Sequence, residues 1–139
     1  MISGSKDRLI NFSDLRLQDC LIKSLQYHSG EVCSLKVKPD QKNVFASGAN
    51  DNKVCIWDIR DNNPFSVIKG HQGAVKAISW CPWKTNTLAT GGGKNDRTIK
   101  IWNNNGDLIC KKELKSQISG LEWNKRHNCL VSSHGSNSN

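Results

Sequence analysis

The motif HSGEV at residues 28–32 returns as HQGAV at residues 71–75, 43 positions further along the chain. Each copy is followed by a short run with apolar residues at alternate positions, as at Leu35 and Val37 after the first copy. Such alternation is typical of a half-buried β-strand. A fixed period of this length indicates a repeated structural unit.

Further strands are predicted inside each unit by apolar, β-branched segments between turn residues. The second strands are predicted at 44–48, 88–91 and 130–133, the third at 53–58 and 98–103, and weaker fourth strands at 65–68 and 108–110. We expect Gly91, Gly92 and Gly93 to form the turn between the second and third strands, where a positive φ is needed.

A period of ~40–45 residues, with His near the start and Trp-Asp near the end, is the sequence form of a WD40 repeat, in which each unit makes one propeller blade. The sequence therefore predicts an all-β fold, a partial WD40 β-propeller. The predicted divisions are the end of a preceding blade at 1–26, complete repeats at 27–70 and 71–114, and the start of a further blade at 115–139. Because a closed propeller needs at least ~4 blades, we expect these 139 residues to belong to something longer.

The two complete repeats share four polar or aromatic positions. These are His28, Ser47, Asp51 and Trp57 in the first repeat, and His71, Thr90, Asp96 and Trp102 in the second. A Ser/His/Asp set is typical of nucleophilic catalysis, but an enzyme needs one such site and not one in each blade. We interpret both sets as buried networks that tie loops to strands, and we predict no catalytic residue. Lys115 stands at the histidine position of the third unit, so we expect the network to be interrupted there.

The net charge of +8 comes from 20 basic and 12 acidic side chains. The lysines are scattered and the arginines are far apart, which favours a solvated basic surface over a nucleic-acid partner. No apolar run approaches the ~18 residues of a membrane span, and the first residues lack the pattern of a signal peptide. We therefore expect no nucleic-acid partner and no membrane association.

The six cysteines stand singly, and no Cys-x-x-Cys pair occurs. That spacing does not fit a zinc site or a redox motif, so we interpret all of them as buried, reduced thiols. The run of glycines before Lys94 lacks the first glycine and the final Ser or Thr of a phosphate-binding loop. The sequence predicts no metal site and no cofactor.

Several segments are more particular than the general repeat pattern. They are EVCSLK at 31–36, ASGANDN at 46–52, HQGAVKA at 71–77, WCPW at 80–83 and LATGGG at 88–93. Together they resemble the Cdc20/Cdh1 (fizzy and fizzy-related) activators of the anaphase-promoting complex. The resemblance implies a seven-bladed substrate receptor, not itself an enzyme, that presents KEN-box and destruction-box degrons to a ubiquitin ligase. The partners it implies are subunits of that complex, degron-bearing substrates and spindle-checkpoint proteins, in the nucleus and cytoplasm.

The resemblance also implies a site for the KEN degron, at positions Asn50, Lys94 and Gln117. Asn50 and Gln117 keep the family's amide side chains, which donate and accept hydrogen bonds at once. Lys94 replaces a threonine that is common in the family. Asn50 and Lys94 are also ordinary turn residues. The alternative function is a WD40 scaffold in another complex, without degron binding.

Overall fold

The computed structural model describes residues 1–103 and 105–135, and within these ranges the regular structure is entirely β. The predicted all-β fold is confirmed. The first sheet contains β1 (Ile2–Gly4), β2 (Leu9–Ser13) and β3 (Leu21–Gln26). The second contains β4 (Val32–Val37), β5 (Val44–Ala49), β6 (Lys53–Asp58) and β7 (Ser66–Lys69). The third contains β8 (Val75–Trp80), β9 (Leu88–Gly92), β10 (Thr98–Trp102) and β11 (Leu108–Glu113), and the fourth contains β12 (Ile118–Asn124) and β13 (Cys129–His134).

Each sheet is an antiparallel meander in which every strand pairs with the next one along the chain. The second, third and fourth strands predicted from the sequence are present, and β11 extends to Glu113, beyond the predicted segment. Residue 104, in the predicted repeat 71–114, and residues 136–139, at the end of the predicted blade 115–139, lie outside the described residues.

The predicted turn role of the glycine run is wrong for Gly91 and Gly92; Gly93 begins the turn, where its carbonyl accepts from the Asp96 N–H at 3.0 Å, but its φ is not positive. Gly91 and Gly92 lie inside β9, and the residue with positive φ in the following turn is Arg97, at 52°. The equivalent turn after β5 places Asn52 at φ 66°. Since Asn tolerates the left-handed region at modest cost, the turn between these strands does not depend on glycine.

The glycines of β5 and β9 are needed where one sheet approaches the next. A Cβ on Gly48 would lie 2.7 Å from a methyl carbon of Val75, and one on Gly91 would lie 2.5 Å from a methyl carbon of Ile118. Real side chains do not approach so closely. The missing side chain therefore lets the first strand of the following sheet pack directly on the backbone.

The hydrophobic core is divided among the junctions between sheets. Phe45 and Trp57 pack with Ile10 between the first and second sheets, and their two rings stack with centroids 5.7 Å apart. A second cluster fills the junction of the second and third sheets, and a third cluster that of the third and fourth. Each sheet therefore buries its apolar residues against its neighbours.

Indole N–H groups also join the first strands of neighbouring sheets. Trp80 Nε1 donates to the carbonyl of Lys36 at 3.1 Å, and Trp123 Nε1 donates to the carbonyl of Ser79 at 3.1 Å. The strands β4, β8 and β12 are therefore packed side by side, and we call them the inner strands.

Two lysines contradict the predicted solvated surface, because Lys38 and Lys100 are each only 4 % exposed. Lys38 donates to Gln41 Oε1 at 3.1 Å and also bonds the amide oxygen of Asn86. The ammonium lies 5.7 Å from the ring centroid of Trp80, so a cation–π contact adds to these bonds.

The interpretation of the cysteines as buried is wrong for most of them. Cys55 and Cys81 are buried, whereas the exposed thiols are those of Cys20, Cys33, Cys110 and Cys129. None of the six is joined in a disulfide. The described ranges contain no helix long and apolar enough to cross a bilayer.

Candidate functional site

The predicted degron residues lie along one edge of the sheets. Val32 pairs with Ala49, and Val75 pairs with Gly92, so each inner strand begins where the second strand of its sheet ends. We call the side where β4, β8 and β12 begin the upper edge. Asn50 follows β5, Lys94 follows β9, and Gln117 immediately precedes β12. The three residues therefore occupy the upper edge of three consecutive sheets.

Asn50 is held at this edge through its backbone. Its N–H donates to the carbonyl of Glu31 at 2.8 Å, and its side chain is exposed. Gly30 lies beneath it, and a Cβ at Gly30 would be 2.6 Å from the backbone nitrogen of Asp51. Gly30 thus lets the turn close over the start of β4 while the amide side chain remains at the surface.

Lys94 sits in the corresponding turn of the third sheet. The Gly93 N–H donates to the carbonyl of Ala74 at 2.7 Å, and the Gly93 carbonyl accepts from the Arg97 N–H at 2.9 Å. These bonds fix the backbone on both sides of Lys94, whose side chain is exposed.

Gln117 is half-buried, and its amide oxygen accepts a hydrogen bond from Lys76 Nζ at 3.1 Å. Its carbonyl accepts from the Gly135 N–H at 3.1 Å, and the amide packs over Gly135, where a Cβ would collide with it. Lys76 also reaches the turn of Lys94, because its Cε would lie 3.4 Å from a Cβ on Gly93.

Lys76 is not among the site residues predicted from the sequence. The available signal was its place on an inner strand between two apolar residues, Val75 and Ala77, which the structure buries. An alternating strand turns such a residue away from the core. The same position in the second sheet is Cys33, which is also exposed.

In the second sheet the structure brings the predicted network residues into one chain of hydrogen bonds. His28 Nδ1 lies 3.0 Å from Asp51 Oδ2, and His28 Nε2 lies 2.7 Å from Ser47 Oγ. Trp57 Nε1 donates to the same Ser47 oxygen at 2.8 Å. Because the carboxylate only accepts, Nδ1 carries a proton, and in the neutral imidazole Nε2 is then the acceptor for the serine hydroxyl.

The third sheet repeats this chain with one added group. His71 Nδ1 bonds Asp96, His71 Nε2 lies 2.7 Å from Thr90 Oγ1, and Trp102 Nε1 donates to that oxygen at 2.8 Å. Lys100 Nζ lies 3.2 Å from Asp96 Oδ1, so a buried ammonium joins the network.

The fourth sheet differs from both. Lys115, at the histidine position, is exposed, and the Ser132 hydroxyl lies 2.9 Å from His134 Nε2 instead.

Hydrogen bonds and burial set the protonation of these groups. Burial opposes ionisation of Asp51, but hydrogen bonds from His28 and the Ser29 N–H outweigh it and hold the pKa below 3.8. The pKa of Asp96 is lowered in the same way, with bonds from His71 and Thr98. Burial lowers the pKa of His71 below 6.5; the bond to Asp96 opposes this, and the charge of Lys100 adds to it. The aspartate of each histidine–aspartate pair is therefore an ionised carboxylate.

These networks are closed to substrates. The side chains of Ser47 and Thr90 have no exposed surface, and each hydroxyl is already bonded to a histidine and a tryptophan. A nucleophile must reach a reacting carbon, and neither oxygen can. Among the residues that the structure describes, no group of three or more His, Cys, Asp or Glu side chains could hold a metal ion.

Two segments of the chain, residues 19–58 and 62–103, match the family described as WD domain, G-beta repeat. The chain belongs to the WD40-repeat family. In the Mitotic Checkpoint Complex crystal structure, one chain superposes on this WD40 chain with a TM-score of 0.89 and 41 % identity. That match covers 96 % of this chain and 41 % of the other. The partial WD40 propeller predicted from the sequence is confirmed.

Relatives similar along nearly the whole WD40 chain include both branches of the family that the sequence resembles. "Anaphase-promoting complex subunit cdc20" of Dictyostelium discoideum is 43 % identical over 99 % of this chain. "APC/C activator protein CDH1" of Saccharomyces cerevisiae is 40 % identical over 97 % of it. The resemblance to Cdc20/Cdh1 proteins is confirmed. The chain spans 28 % of the first relative's length and 24 % of the second's.

Proposed function

We propose that this WD40 chain is part of a substrate-recognition and activator subunit of the anaphase-promoting complex, a ubiquitin ligase. The subunit binds KEN-box and destruction-box degrons in cell-cycle proteolysis. The observation that carries the proposal is identity of 40 % and 43 % over nearly all of the chain with relatives named for that complex.

The geometry of the upper edge supports a KEN-degron site there. Asn50 and Lys94 are exposed on backbone-anchored turns, and Gln117 is held by Lys76 and Gly135 at the next sheet. Amide side chains can both donate to and accept from an extended polar peptide, so the edge offers groups suited to a polar degron.

The chain acts by binding and not by catalysis in this proposal. Support comes from the name of the yeast relative, an activator, and from the burial of both His–hydroxyl–Asp sets. The proposed partners are subunits of the complex and degron-bearing substrates. Spindle-checkpoint proteins are included because a similar chain occurs in the Mitotic Checkpoint Complex structure. The proposed location is the nucleus and cytoplasm, where such partners would be met.

Binding of a fluorescent KEN peptide tests the site. Asn50→Ala should weaken binding about 3- to 10-fold, the effect of losing one or two hydrogen bonds of ~1 kcal/mol. Asn43→Ala is the matched control, because Asn43 is an exposed asparagine of the same sheet at the opposite edge. Equal affinity of the Asn50→Ala variant and the unaltered protein would remove Asn50 from the site.

Affinity purification from cells tests the wider function. Recovery of ligase subunits with the tagged protein supports the activator. Their absence, together with stable recovery of other proteins, favours the alternative of a WD40 scaffold without degron binding.

A further inference from the structure

Lys76 lies at the centre of the upper edge. It is exposed on the inner strand β8 of the third sheet, between the sheet that carries Asn50 and the sheet that begins after Gln117. Its ammonium bonds Gln117 Oε1 at 3.1 Å, and its stem passes the backbone of Gly93, next to Lys94. Two other sequence segments, at Gly93 and Gln117, therefore meet at one cation.

The charge of Lys76 also reaches the second sheet. Burial raises the pKa of the Cys33 thiol, the positive charge of Lys76 opposes that rise, and the weaker effects of Glu31 and Asp51 add to it. Cys33 stands on the inner strand β4, close to the sheet's upper edge. The ammonium therefore interacts with Gln117, just before β12, through a hydrogen bond and with Cys33, on β4, through its charge.

Lys76 also determines how Gln117 faces a ligand. An ammonium group only donates, so the amide oxygen must point to Lys76 and the amide nitrogen must point away from it. The contact of the amide with Gly135 fits this orientation, because the nearest atom to a Cβ there is Gln117 Nε2. The positions around Lys76 therefore offer N–H donors and positive charge, which suit a carboxylate.

We propose that Lys76 is a specificity-determining residue of this edge, where its ammonium pairs with the acidic side chain of the bound degron peptide and fixes the amide of Gln117. This inference rests on the proposed function, since it assigns one residue of the peptide to one cation of the site. Lys94 lies in the adjoining turn and adds to the positive potential.

Two peptides that differ only in charge test the inference. One contains Lys-Glu-Asn and the other Lys-Gln-Asn, and both are titrated against the protein and against variants Lys76→Gln, Lys76→Arg and Lys42→Gln. Lys42 is an exposed lysine in the turn after β4, at the opposite edge, and serves as the matched control. Thermal unfolding of each variant confirms that it is folded.

The unaltered protein should prefer the Glu peptide by about tenfold or more, the effect of one charge-assisted hydrogen bond. Lys76→Gln should reduce this preference to nearly onefold, whereas Lys76→Arg and Lys42→Gln should keep it. A preference retained in Lys76→Gln overturns the inference while degron binding stands. Equal binding of both peptides by the unaltered protein also overturns it. If the unaltered protein binds neither peptide, the proposed function fails together with it.

Discussion

The second and third sheets contain the same chain of hydrogen bonds, from tryptophan through a hydroxyl and histidine to aspartate, yet a single position makes them chemically different. In the second sheet the residue two before the tryptophan is Cys55, and in the third it is Lys100; both are buried. Burial raises the pKa of the Cys55 thiol to about 12, so the position is neutral. Lys100 brings a positive charge to the same place.

One repeat geometry therefore accommodates either a buried neutral thiol or a buried ammonium beside the same carboxylate-containing network. In the third sheet, Asp96 accepts from three side chains, the Nδ1 of His71, the hydroxyl of Thr98 and the ammonium of Lys100. In the second, Asp51 is shared between His28 and two backbone N–H groups, and the partly exposed Lys53 ammonium lies 3.9 Å away. Loss of the carboxylate should therefore have different consequences in the two sheets.

The largest effect is expected when each aspartate is removed. Asp96→Ala leaves Lys100 buried without its anion and should lower the free energy of unfolding by ~3–5 kcal/mol. Asp51→Ala leaves neutral donors and the Lys53 ammonium unpaired, but Lys53 is partly exposed and can be solvated, so the cost should be ~1–3 kcal/mol. Urea unfolding followed by tryptophan fluorescence measures both. Equal losses in the two variants would show that the unpaired charge of Lys100 does not affect the free energy of unfolding.

The hydroxyl groups offer a comparison in which the two sheets should agree. Ser47→Ala and Thr90→Ala each leave a buried indole N–H without an acceptor, so each should cost ~1–3 kcal/mol in free energy of unfolding. Ser132→Ala provides the control, since Ser132 is half-buried and pairs with the exposed His134. A much larger loss for Thr90→Ala than for Ser47→Ala would break the equivalence of the two networks.

A smaller effect is expected when the third sheet is given the composition of the second. Lys100→Cys should change the free energy of unfolding by about 1 kcal/mol, because the desolvation penalty of the ammonium and its attraction to Asp96 are lost together, while Asp96 keeps its bonds from His71 and Thr98. In this background, Asp96→Ala should cost no more than Asp51→Ala. The double-mutant cycle measures the coupling of Lys100 and Asp96, and a coupling near zero would contradict the ion pair.

The smallest effect concerns the titration of His71. Its pKa lies below 6.5, so between that pKa and 6.5 the unfolded chain binds more protons than the folded one. Stability therefore falls as the pH drops through 6.5, and the lowered pKa of Asp96 continues the loss below pH 3.8.

NMR titration of the imidazole signals measures the pKa of His71 directly. His71 should titrate below 6.5, and Lys100→Cys should move its pKa upward, because one positive neighbour is removed. A pKa of His71 above 6.5 in the unaltered protein would contradict the assignment of a neutral imidazole.

The repeat made most of the fold predictable. The strands followed from alternation and a 43-residue period, because each sheet repeats the same inward and outward positions. The residues of the two networks could be chosen from the sequence because they recur together, and the structure places them within hydrogen-bonding distance.

What could not be predicted depends on contacts between sheets. The strand alternation predicts that Lys100 points outward, as it would for any charged residue between apolar ones. Only the position of Asp96 explains why Lys100 is buried. Gly91 is a residue type that favours turns, but here its missing side chain leaves room for Ile118, which is 27 positions away in sequence. Lys76 lies in the segment HQGAVKA, but nothing in that segment by itself assigns a role to the lysine. Its importance appears only when Gln117, from the next repeat, is placed beside it.

The glycine contacts at Gly48 and Gly91 also constrain how such a chain can change in length. Each contact is the joint between one repeat and the next, and the core lies at that joint and not inside a sheet. An insertion or deletion of part of a repeat would separate a glycine from the β-branched residue that fits against it. Gene duplication in whole repeats preserves every joint, so the period of the sequence is also the smallest heritable unit by which this architecture can grow.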